Sequence, residues 1–88
     1  MDKIRIIMTE VVSPYGKYTK FTIKGDGKIV AEVDRRDGKY IVFSGVANEI
    51  GSRTNKDSAI KFAQDYILGF IPNAEFKWNV ITERIKYN

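Results

Sequence analysis

Residues 21–43 read FTIKGDGKIVAEVDRRDGKYIVF. Within them, Asp26-Gly27 and Asp37-Gly38 interrupt three runs in which apolar and polar side chains alternate. An Asp-Gly step supplies the two left-handed backbone positions of a type I′ turn, whose twist suits a two-residue hairpin. The stretch is therefore expected to fold as three consecutive antiparallel strands. Alternation puts Phe21 and Ile23, then Ile29, Ala31 and Val33, then Ile41 and Phe43 on one face. Lys20, Thr22, Lys24, Val30, Glu32, Tyr40 and Val42 then point to the other face.

Upstream, Lys3 to Val12 alternates in the same way, with Ile4, Ile6 and Met8 on the inner face. Ser13-Pro14-Tyr15-Gly16 reads as the turn that joins this run to Tyr18–Lys24, with proline at its favoured second position. The first half of the chain is thus expected to be a four-stranded antiparallel meander. Ser44 to Arg53, bracketed by Gly45 and Gly51, reads as a longer connection with room for a short helical turn.

The period then changes from two to about three and a half. Thr54-x-x-Asp57 approximates a capping box, and Ala59, Ile60, Ala63, Tyr66 and Ile67 recur at helical spacing. Gly69 is expected as a left-handed stop with Pro72 beyond it, which gives one amphipathic helix over about 55–68. Ala74 to Val80 alternates again, Phe76, Trp78 and Val80 opposing Glu75, Lys77 and Asn79. Past Val80, Ile81, Ile85 and Tyr87 fit a bulged strand or a short terminal helix. The expected fold class is α+β: one small domain over residues 1–88, order β-β-β-β-α-β, with the helix on one sheet face.

The chain of 88 residues is 43% hydrophobic and includes five Phe, five Tyr and one Trp, enough apolar material for a core of its own. It has neither Cys nor His, so disulfides, thiolate nucleophiles, imidazole bases and zinc sites of nitrogen and sulfur ligands are excluded. No apolar run is long enough for a bilayer-spanning helix, and a soluble, cytoplasmic protein is expected. The balance of 15 cations against 11 carboxylates leaves a net charge of +4. That sign suits acidic partners without demanding nucleic acid.

No motif for catalysis, metal or cofactor emerges. Glu32 and Asp34, two apart on a strand and close to Asp37, are expected to be solvated beside Arg35 and Arg36. Gly45-x5-Gly51 lacks the Gly-Lys-Ser/Thr ending of a phosphate loop, and the acidic residues lack EF-hand spacing. Asn55-Lys56 with Ala59 and Ala63 looks loosely like the start of the closing helix of a double-stranded-RNA-binding domain. Asp57 stands where that family has a second lysine, and a further strand follows, so no role is carried over from it.

What remains is the face of the sheet that a single helix leaves bare. A non-enzymatic binding module is expected, docking on a protein through Ile7, Val30, Tyr40 and Val42, with the Arg35-Arg36 turn as an anchor for acidic groups. A homodimer through that face is one form of the same idea. The alternative is nucleic acid, with Lys3, Arg5, Lys20, Lys24, Lys28 and Lys77 on phosphates and Tyr40 stacking on a base.

Overall fold

The structure, a computed structural model, describes residues 2–12, 19–45 and 47–82. Its elements follow in the order β1 (Ile4–Val12), β2 (Thr19–Gly25), β3 (Lys28–Arg36), β4 (Lys39–Ser44), β5 (Asn48–Arg53), α1 (Lys56–Phe70) and β6 (Ala74–Thr82). Both Asp-Gly steps form the expected turns. Asp26 and Gly27 have φ of 55° and 78°, and Asp37 and Gly38 have 51° and 75°, as a type I′ turn requires.

The strands make one sheet in the order β5-β4-β3-β2-β1-β6. Strands β1 to β5 pair antiparallel, while β6 lies parallel to β1. A parallel neighbour needs a crossover, and α1 supplies it by carrying the chain across one face from the β5 side to the β1 side.

The segment expected to be a loose connection is instead a fifth meander strand, β5. Glycine and a bulge allow it: β5 shifts register between its partners Val42 and Phe43, with Ile50 the extra residue.

The helix starts one residue later than the capping-box reading. Asn55, extended at φ −108°, is the N-cap, and its side-chain oxygen accepts the Ser58 N–H at 3.2 Å. Gly69 lies inside the helix rather than beyond its end. The last turn closes where the Ile71 N–H donates to the Ile67 carbonyl at 2.7 Å.

The core lies between α1 and the sheet face beneath it. Ile6, Met8, Phe21, Ile23, Ala31, Val33 and Val42 meet Ala59, Ile60, Ala63 and Ile67. Burying each larger side chain contributes roughly 1.5–3 kcal/mol.

Strands β1, β2 and β6 keep the expected phase. Strand β3 keeps it at Ala31 and Val33 but turns Ile29 to the open face opposite Lys24, and β4 does not keep it. Val33 pairs with Val42 and Arg35 with Tyr40, so Val42 is fully buried under α1 and Tyr40 packs against the core. Ile41 and Phe43 occupy the open face instead. The cause is the two-residue turn: it pairs Arg36 with Lys39, and every later partner inherits the face of its mate. Val30 is also corrected. It is the extra residue of a bulge where Ile23 opposes Ala31 and Lys24 opposes Ile29, and it packs against the core.

The expected turn at 13–16 and the readings of Ile85 and Tyr87 lie outside the described residues. The strand reading beyond Val80 holds as far as Thr82.

Candidate functional site

The open face of the sheet is mixed apolar and basic, as alternation suggested, but its apolar residues are Ile7, Ile29, Ile41 and Phe43 rather than Ile7, Val30, Tyr40 and Val42. Of the expected docking residues, Ile7 alone stands on it unengaged, half-buried between Lys24 and Lys77. Val30, Tyr40 and Val42 belong to the helix side. The two turn arginines are occupied within the chain: Arg35 stacks 5.9 Å from the Tyr40 ring centroid, and Arg36 stacks 5.4 Å from that of Phe43. The Arg36 guanidinium also donates to Asp34 Oδ2 at 3.3 Å.

The lysines proposed for phosphates mostly meet carboxylates. Lys3 and Lys77 share Glu75, at 3.6 and 2.8 Å, and Lys20 reaches Glu32 at 3.5 Å. The two lysines hold the Glu75 carboxyl below its usual value, with the Lys77 hydrogen bond the largest cause. Arg5 and Lys24 also lie on this face, while Lys28 opposes Gly25 beside the β2–β3 turn. Several of the cations on this face are therefore matched by carboxylates, while Ile7 lies between Lys24 and Lys77.

Glu32 and Asp34 are not the solvated carboxylates expected. Each is only 8% exposed, on the open face of β3, one of the two central strands. Thr22 and Phe43 flank Glu32, and Lys20 and Ile41 flank Asp34. Asp34 Oδ1 has no hydrogen-bond partner among the described residues.

A cleft of about 540 Å³ opens between β5 and α1, lined by Arg53, Ser58, Lys61, Phe62, Asp65 and Tyr66. Its polar groups answer each other. Arg53 stacks 4.5 Å from the Phe62 centroid, Lys61 pairs with Asp65 at 3.3 Å, and the Tyr66 hydroxyl lies 2.9 Å from Ser44 Oγ. None of these groups is set up as an activated nucleophile or general base.

The strongest surface feature is one that the sequence reading placed in the core. Phe76, Trp78 and Val80 do point to the helix side, in register with Ile6, Met8 and Glu10. The helix, however, packs over β3, β4 and β5. Towards β1 it meets Ile6 and Met8 at the edge of the core, and its long side chains reach further: the Gln64 amide donates to Met8 Sδ at 3.3 Å, and Lys56 Nζ lies 4.0 Å from Glu10. Phe76 still packs against the core, but beyond it no described residue lies over the outer half of β6. Trp78 is left 54% exposed and Val80 61%, with Ile4 and Ile81 exposed nearby. Trp78 is nonetheless held in place, its ring meeting that of Phe21 edge-on at 6.2 Å and 90°.

Among the described residues, the outer side of β6 also has no strand beside it. The signal that could have found this site is length: a single helix of 15 residues covers part of a six-stranded sheet, so an edge strand reached by a crossover lies outside its cover. No protein-family model, curated protein or solved structure matches the chain.

Proposed function

We propose that this chain is a non-enzymatic protein-binding module that docks through β6 and the apolar strip beside it, not through the middle of the open face. The observation that supports this most is a nine-residue edge strand with Trp78 and Val80 more than half exposed. Aromatic anchors held rigid before binding lose little entropy on association and are frequent hot spots. An unpaired edge adds main-chain hydrogen bonding to a partner strand.

Nucleic-acid binding is the weaker proposal. Glu75 and Glu32 already engage Lys3, Lys77 and Lys20, so fewer cations are left to displace counterions.

The test is affinity capture with wild type and Val80→Lys as parallel baits, read by quantitative mass spectrometry. Val80 is exposed, so the substitution leaves the fold intact while placing a charge in the strip. Specific partners are expected to fall at least about tenfold, the effect of some 1.4 kcal/mol. Equal recovery of the same proteins by both baits would remove β6 from the reading.

A further inference from the structure

The ladder between β1 and β6 fixes which backbone groups of β6 face outward. The Ile4 N–H donates to the Asn73 carbonyl at 2.9 Å, while Ile4 is in register with Ala74. In a parallel ladder that offset repeats every second residue. Glu75, Lys77, Asn79 and Ile81 therefore bond inward to β1, and Phe76, Trp78, Val80 and Thr82 present their amides and carbonyls to the free side. The register runs unbroken from Ile4–Ala74 to Val12–Thr82, so this row is straight and continuous.

A row of alternate donors and acceptors of this kind accepts one more strand, and β6 fits itself. Its midpoint is Trp78. An antiparallel copy related by a two-fold axis at Trp78 pairs all nine residues of each strand. Trp78 then faces Trp78 of the other copy, and Phe76 faces Val80. Both pairs have outward backbone groups and both lie on the helix side. On the opposite side Lys77 faces Asn79 and Glu75 faces Ile81, so no like charges are opposed.

The neighbouring choices are worse. An axis at Lys77 sets two ammonium groups against each other, and one at Asn79 leaves both strand starts unpaired. Resting on the reading that β6 is the docking element, we propose that its partner is a second copy of this chain. The two β6 strands pair antiparallel about Trp78 into one continuous sheet.

In this arrangement both helices stand on the same side of the joined sheet. Phe76, Trp78 and Val80 of the two copies fill the trough between them. The strip left bare in one chain thus becomes the floor of a second apolar layer. The edge hydrogen bonds and the aromatic cluster are formed together, which is how a single strand gains enough contact to hold a dimer.

The experiment is sedimentation equilibrium of the full chain from low micromolar to submillimolar concentration. Emission of its single tryptophan, which is Trp78, is followed in parallel. Expected are a mass of twice 10.1 kDa at the upper end and a red shift of Trp78 emission on dilution. Val80→Pro removes an outward amide only, which an edge strand tolerates. It and Val80→Lys are expected to weaken association at least tenfold with unchanged far-UV circular dichroism.

The chain has no cysteine, so single replacements report the axis cleanly. Trp78→Cys should form a covalent dimer under mild oxidation. Lys77→Cys should not, since its two copies sit diagonally, beyond disulfide reach.

A wild type that stays monomeric throughout overturns the self-pairing. So does a dimer that survives both Val80 variants, or one cross-linked through Lys77→Cys instead. If the wild type is monomeric yet loses captured proteins on Val80→Lys, docking through β6 stands and only the identity of the partner fails. If capture is unchanged as well, both fail.

Discussion

At one side of the sheet, β5 is six residues long, carries a bulge, and shows Asn48, Glu49 and Arg53 to solvent. At the other, β6 runs nine residues without a break and shows Trp78, Val80 and Ile81. At each edge an aromatic ring of the interior touches the strand as a tie, beside the packing of Ile50 on β5 and Phe76 on β6. Phe62 lies against the backbone of Gly51 on β5, and Phe21 meets the ring of Trp78 on β6. The difference is in what lies outside the tie. Shortness, charge and a bulge are the usual ways in which a sheet edge is kept from pairing, and β5 has all three. Of charge, β6 offers only Glu75 and Lys77, which pair with each other on the face away from the apolar strip.

The largest expected effect falls on the tie beneath β6. Phe21 is 1% exposed, and Phe21→Ala removes a full ring from the core. A loss of about 3–5 kcal/mol is expected in urea unfolding. The variant should also red-shift Trp78 emission while still folded, because that ring loses its neighbour. A stability loss without the spectral change would mean that the two rings do not hold each other.

The tie beneath β5 should give a smaller response. A Cβ added at Gly51 would lie 2.7 Å from Phe62 Cζ, so Gly51→Ala pushes the ring off its seat and disturbs the Arg53 stack above it. The expected cost is about 1–3 kcal/mol by chemical denaturation. Phe62→Leu combined with Gly51→Ala should recover part of it, since the double variant relieves the clash that the single one creates.

Smaller still is the stability change at the exposed strip. Val80→Lys is expected to alter unfolding free energy by no more than about 0.5 kcal/mol. Its effect should appear in association instead. A large stability loss would show that the strip is covered within the single chain.

The smallest effect concerns the ion-paired carboxylate of β6. The Glu75 carboxyl sits below its usual value of 4.5 because the folded chain favours its charged form through Lys77 and Lys3. A depressed folded value gives stability that is present above the unfolded value and lost as pH falls through the folded one. The wild-type melting temperature should therefore decline slightly more than that of Glu75→Gln as pH is lowered below about 5. Added salt should shrink the difference, because the group is exposed.

Much of this architecture was legible in the residues, and the parts that were not have separate causes. The two Asp-Gly turns, the strand phase of Ile6, Met8, Phe21 and Ile23, and the helix around Ala59, Ile60, Ala63 and Ile67 follow from local pattern. In β4 all four of Tyr40, Ile41, Val42 and Phe43 are apolar, so alternation alone fits either phase. The register inherited from the Asp37-Gly38 turn separates the two, since Val33 is inward and its mate is Val42. The bulge at Val30 and the strand made by Asn48–Arg53 have no comparable local signature. The candidate site was hidden for a longer-range reason: Trp78 and Val80 keep the pattern of core residues, and only the position of α1 over the other strands leaves them outside.

The parallel join of β1 to β6 also sets an order of events. Ile4 pairs with Ala74, seventy positions later in the chain, whereas every other pairing in the sheet links neighbours in sequence. Closing so wide a loop is entropically unfavourable and slow compared with zipping a hairpin. On the ribosome the meander can assemble while its first strand still waits for the final one to emerge. Until that late arrival docks, β1 is itself a bare margin, and a crowded polysome is where such a nascent chain is most exposed to joining the wrong neighbour.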